Sequence, residues 1–135
     1  MKKVLIIDGQ GGQIGSQLVK SLINYNIEII AIGTNSTATS AMMKAGAKIG
    51  ATGENPVIVG CKDADIIIGP IGIVIADSLY GEITPKMAKA VGQSSAKKIL
   101  IPINKCNNIV VGTKDLTVTE MIKEVLEIIK DLIWL

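Results

Sequence analysis

The chain has 135 residues, 14 basic against 12 acidic side chains and a net charge of +2, with no His and with Lys as its only basic residue. That balance carries no basic block, which excludes an electrostatic footprint for nucleic acid; it also removes the commonest general base, the usual zinc ligand and any bidentate guanidinium clamp on phosphate. Hydrophobic residues make up 48% with no Phe, one Trp and two Tyr, so aliphatic side chains must build the core, and a mean hydropathy of +0.45 points to apolar surface buried against a second copy.

The N-terminal stretch Met1-Lys2-Lys3 precedes only four apolar residues before Asp8. That run is too short for a signal peptide or a membrane span and reads as a strand. It ends in Asp8-Gly9-Gln10-Gly11-Gly12-Gln13-Ile14-Gly15, and helical spacing of Ile14, Leu18, Leu22 and Ile23 follows over 14–26. Strand, glycine turn, helix is the arrangement that offers backbone N–H groups and a helix N-terminus to an anion. The glycines at 9, 12 and 15 follow G-x-x-G-x-x-G, with Gly11 in addition. Such glycines serve a sharp turn, approach of a diphosphate and close helix packing, and a tight turn without a ligand uses them equally well. Asp8 stands beside the expected phosphate and would repel it unless turned away or neutralised. It would otherwise bond a ribose, hold a neighbouring loop or mark a ligand that is not a dinucleotide.

Residues 27–33 read as a second buried strand. It leads to Thr34-Asn35-Ser36-Thr37, where the NAD form of such a fold carries an acid for the ribose 2′-hydroxyl. Neutral donors there allow a 2′-phosphate, so NADP is the favoured dinucleotide; the same residues also suit a cap for a helix over 39–46. A short third strand is expected over 46–51, a helix from Asn55-Pro56 to Lys62, and a fourth strand over 65–69. Gly69-Pro70-Ile71-Gly72 follows as a second glycine turn and the opposite lip of the ligand site. Apolar residues 73–79 suggest a helix or an interface. Thr84-Pro85 starts another helix, a fifth strand covers 99–101, and 109–112 reads as a sixth, antiparallel at the edge. Thr117-x-x-Glu120 has capping-box spacing ahead of a broad apolar stripe through Leu132 and Ile133. The expected fold is one Rossmann-like domain over 1–135, a three-layer α/β sheet of five or six mostly parallel strands.

Two polar groups fall at the expected carboxyl edge and are candidates for substrate contact together with Asp8. One is Glu82, near Thr84 and Lys86, which is an acid or base if buried and otherwise a solvated carboxylate. The other is Asn104-Lys105-Cys106-Asn107, where Lys105 would lower the Cys106 thiol, although no His completes a cysteine-hydrolase arrangement. Cys61 reads as core, and two isolated cysteines suit a reduced, cytoplasmic setting.

The turn 8–15, the stretch from Gly69-Pro70-Ile71-Gly72 through Gly81-Glu82-Ile83-Thr84-Pro85-Lys86-Met87-Ala88, and Ile101-Pro102-Ile103-Asn104-Lys105-Cys106-Asn107 together resemble a family of short bacterial Rossmann-like proteins classed as a domain of unknown function. The resemblance implies the fold and a bacterial cytoplasmic setting, and no activity. The glycine loop alone is similar to that of the short-chain dehydrogenases, but Tyr80 is followed four residues later by Thr84, so their Tyr-x-x-x-Lys pair is missing. Three functions remain open: a binding module for a nucleotide or other phosphorylated ligand, a small oxidoreductase or transferase completed across a homodimer, and an interaction subunit. No metal site or membrane segment is expected.

Overall fold

The computed structural model describes residues 1–103 and 107–133. Five strands form one all-parallel sheet: β1 (Lys2–Asp8), β2 (Ile27–Gly33), β3 (Ile49–Thr52), β4 (Ile66–Pro70) and β5 (Lys97–Ile101), in the order β3-β2-β1-β4-β5. The helices are α1 (Gln13–Leu22), α2 (Ser36–Lys44), α3 (Glu54–Asp63), α4 (Pro85–Gln93) and α5 (Val118–Ile133), with a 3-10 turn at Ile71–Val74. This is the α/β, doubly wound Rossmann-like architecture that the sequence leads one to expect.

Its layers follow from alternation along β1. Val4 and Ile6 face a core with Leu18, Leu22, Met42 and Val125, while Leu5 and Ile7 face a second core with Val57, Cys61, Met87 and Val91. A strand buried on both faces must be apolar throughout, which is why β1 reads as a continuous run rather than an alternation. Strand order reverses between β1 and β4. Ligands of open parallel sheets bind outside the carboxyl ends of the strands at such a point, and there the glycine turn lies.

Several sequence-based boundaries shift. The second helix begins at Ser36 rather than 39, because Asn35 caps it by accepting from Ala38 N–H at 2.9 Å. The third begins at Glu54, so Asn55 and Pro56 lie inside its first turn instead of starting it. Residues 73–79 do not form a helix. The 3-10 turn is followed by left-handed backbone at Asp77, Leu79, Tyr80 and Gly81, while Ile73 and Leu79 remain buried: the run is apolar because it plugs the core, not because it coils. No strand forms over 109–112, and Ile109 and Val111 are 91% and 93% exposed. Strand preference is a preference for fitting a neighbour on a sheet, and among the described residues this segment has no such neighbour. The expected caps at Thr84 and Thr117 are both present, Thr84 Oγ1 accepting from Met87 N–H and Thr117 exchanging bonds with Glu120.

Candidate functional site

The turn between β1 and α1 is tied down from beneath by Asp8, which is 5% exposed. Gly9 N–H donates to its Oδ1 at 2.8 Å and Gly15 N–H to its Oδ2 at 2.7 Å. Burial raises the Asp8 carboxyl above its ordinary value, those N–H groups pull it back, and the charge of Glu82 adds to the rise. Of the alternatives open in the sequence, Asp8 takes that of holding a neighbouring loop: its carboxyl group ties together the two ends of the glycine turn that follows it.

Gly12 is held at φ 72, and a Cβ there would lie 2.8 Å from the Ala38 Cα. A left-handed residue against a helix backbone requires glycine. Gly9 needs its missing Cβ for another reason, since one would lie 2.7 Å from Glu82 Oε1. Gly12 N–H closes the turn onto Gly9 C=O at 2.9 Å. Gln10, at φ 50, occupies a backbone region that costs a side-chain-bearing residue energy. Most of the loop's donors are therefore engaged internally. Among the described residues, Gly11 and Gln13 keep N–H groups without a hydrogen-bond partner, and both are exposed.

Those two groups border a cleft of about 370 Å³ lined by residues 8–14 with Ile103 and Val118. Ile103 follows β5 and Val118 opens α5, so one wall comes from the far end of the chain. Neither was legible as a site residue, because each looks like any other aliphatic side chain. Gly69, Pro70 and Gly72 lie at the end of β4 beside the turn but do not line this cleft. A Cβ on Gly69 would meet the Ile7 carbonyl, and Gly72 C=O accepts from Ser78 Oγ. Asn104, Lys105 and Cys106 lie outside the described residues.

Thr34 and Asn35 close the β2 side of the turn through Glu82. Its Oε1 accepts from Gln10 N–H at 2.9 Å, Thr34 Oγ1 at 2.5 Å and Asn35 Nδ2 at 3.0 Å. Asn35 Nδ2 also donates to Gln10 C=O at 3.0 Å. Desolvation pushes the Glu82 carboxyl up, but the bonds from Thr34, Gln10 and Asn35 together leave it below its ordinary value. Glu82 is thus ionised and neither solvated alone nor poised as a proton donor. Burial pushes the Cys61 thiol up to about 11, which leaves it a core side chain rather than a nucleophile. No cluster of metal-ligating side chains occurs among the described residues, nor is any helix there long and apolar enough to cross a membrane.

Among solved structures, the chain is similar to the dodecameric FMN-dependent UbiX-like decarboxylase from Escherichia coli O157:H7, at 17% identity and a TM-score of 0.47, over 96% of this chain and 76% of that one. A comparison with curated proteins returns no match. The family model described as "Domain of unknown function (DUF3842)" matches residues 3–134, and the chain belongs to that family.

Proposed function

We propose that the chain is a binding module for a phosphorylated small ligand of the nucleotide type, held in the cleft beside the glycine turn. The observation that carries this reading is the pair of N–H groups at Gly11 and Gln13 that have no hydrogen-bond partner among the described residues and border a cleft where strand order reverses. Ile14, Ile103 and Val118 give the same cleft an apolar wall for a ring or base. With no Arg in the chain, the phosphate is held by amides rather than by a guanidinium fork. NADP loses the support it had from the sequence. Thr34 and Asn35, the neutral donors that allowed a 2′-phosphate, both donate to Glu82.

Gly11 supplies the test, because a Cβ there would meet nothing within 4 Å. Gly11→Asp places a carboxylate at the proposed phosphate position without crowding the turn. Calorimetric titration with AMP, NAD and FMN is expected to show at least a tenfold weaker Kd in that variant for any probe the wild type binds, with melting temperature changed little. Unchanged affinity, or no binding of any of the three by the wild type, would refute the cleft as a nucleotide site.

A reaction has less to stand on. Tyr80 is 97% exposed, and the residue four positions on is the Thr84 cap. We also propose that the module is a homo-oligomer, a dimer at least. Ile109 and Val111 are nearly fully exposed, and a groove of about 310 Å³ runs between β5 and α5, with Ile128 45% exposed on its rim. Sedimentation at micromolar concentration should give a dimer or larger species, and Ile109→Lys with Val111→Lys should shift it toward monomer. A wild-type monomer would contradict the proposal.

A further inference from the structure

Glu82 is delivered to the turn at some cost in backbone freedom. The chain before it runs through left-handed φ at Leu79 (55), Tyr80 (55) and Gly81 (84), and Leu79, 3% exposed, pins this loop into the core. Strained backbone of this kind persists where the surroundings over-determine it, and it concentrates at binding sites. Here it sets a carboxylate against Gly9, at the ends of β1 and β2.

The bonding at Glu82 is lopsided. Three donors converge on Oε1, whereas Oε2 has no hydrogen-bond partner among the described residues, and the side chain is only half-buried. A carboxylate has about four acceptor positions, so bracing the turn leaves one oxygen over. In dinucleotide-binding sheets an acid at the end of the second strand accepts hydrogen bonds from ribose hydroxyls beside the glycine turn. This chain has Thr34 and Asn35 at that place, and both hold a carboxylate brought from the loop after β4. Gln10 links the two sides: it lines the cleft, and its N–H binds Glu82, which stands outside that lining and next to it.

Resting on the nucleotide reading above, we infer that Glu82 is the sugar-reading residue of the site, its Oε2 accepting from the vicinal hydroxyls of an unmodified ribose and thereby rejecting a 2′-phosphate. The ligand class narrows to nucleotides with a free 2′-hydroxyl. A phosphate at the same position would stand against an ionised carboxylate whose three partners are all neutral, and like charges in contact repel. The sequence conceals this arrangement because the acid lies 48 residues after Thr34, its partner just past the strand end.

The test is a titration of wild type and Glu82→Gln with AMP, 2′-deoxy-AMP, adenosine 2′,5′-bisphosphate and FMN. Wild type should bind AMP about tenfold more tightly than the deoxy analogue, the equivalent of one hydrogen bond to a charged group, and the bisphosphate more weakly still. Glu82→Gln should bring the AMP to deoxy-AMP ratio close to one and improve the bisphosphate relative to AMP; a merely bracing Glu82 would not move that ratio. Equal affinity for AMP and the deoxy analogue in wild type, or an unchanged ratio in the variant, overturns the sugar assignment while leaving the cleft reading in place. Binding of FMN alone does the same. If none of the four probes binds, both readings fall.

Discussion

Gly12→Ala is expected to destabilise the protein by about 3 kcal/mol, and Gly11→Ala, one position earlier, by no more than about 0.5 kcal/mol. The two glycines look alike in the sequence and differ in what surrounds them. At Gly12 the backbone is left-handed, which costs a residue with a Cβ roughly 1–2 kcal/mol. The added atom would also sit 2.8 Å from the Ala38 Cα and 2.9 Å from its carbonyl oxygen, and these are backbone atoms of α2 that cannot swing aside. Overpacking of this kind costs about 1–3 kcal/mol more. At Gly11 the Cβ enters open space. At roughly 4 °C per kcal/mol for a chain of this size, thermal unfolding should place Gly12→Ala about 10 °C below wild type and Gly11→Ala beside it. Similar melting temperatures for the two variants would mean that the turn is not held as described.

Asp8→Ala is expected to cost a comparable amount, about 3 kcal/mol, because it leaves the buried N–H groups of Gly9 and Gly15 without an acceptor at roughly 1–3 kcal/mol each. Asp8→Asn should cost less, since its amide oxygen still accepts one of them. The pH dependence adds a second check. The folded-state value of Asp8 lies above its ordinary one, so between the two the native state holds more protons than the unfolded chain, and stability falls as pH rises through that window. Glu82 has the opposite sign: its value is lowered on folding, so its contribution is present above the ordinary glutamate value and is lost as pH falls toward the folded one. In wild type the two trends offset each other; in Asp8→Asn only the second remains. Urea unfolding between pH 7 and pH 3 should therefore show the gap between wild type and Asp8→Asn widening on acidification. A gap independent of pH would show that Asp8 is not the titrating group.

What the sequence could disclose was whatever depends on neighbours along the chain. The strand, turn and helix from Lys2 to Leu22 were legible because four buried aliphatic residues, a glycine cluster and a helical spacing follow one another directly. The Thr117–Glu120 cap was legible because both partners lie within one turn. Illegible was whatever depends on partners far apart. Nothing near Glu82 indicates that its carboxylate will meet Thr34 and Asn35, and nothing near Ile103 or Val118 indicates a cleft wall. Residues 73–79 misled because apolarity alone does not distinguish a helix from a plug. Residues 109–112 misled because β-branched composition cannot by itself supply a neighbouring strand.

The pairing of Val4, Leu5 and Ile6 with Ile66, Ile67 and Ile68 carries a consequence for biosynthesis. At about 5–20 residues per second on the ribosome, the roughly sixty residues between the partners take some three to twelve seconds to emerge, and until then the earliest-made strand has one flank unpaired. Every adjacency in this sheet needs a crossover, and such non-local topologies fold slowly. During that interval the nascent chain carries an unpaired apolar strand flank, the kind of edge that pairs wrongly with another chain.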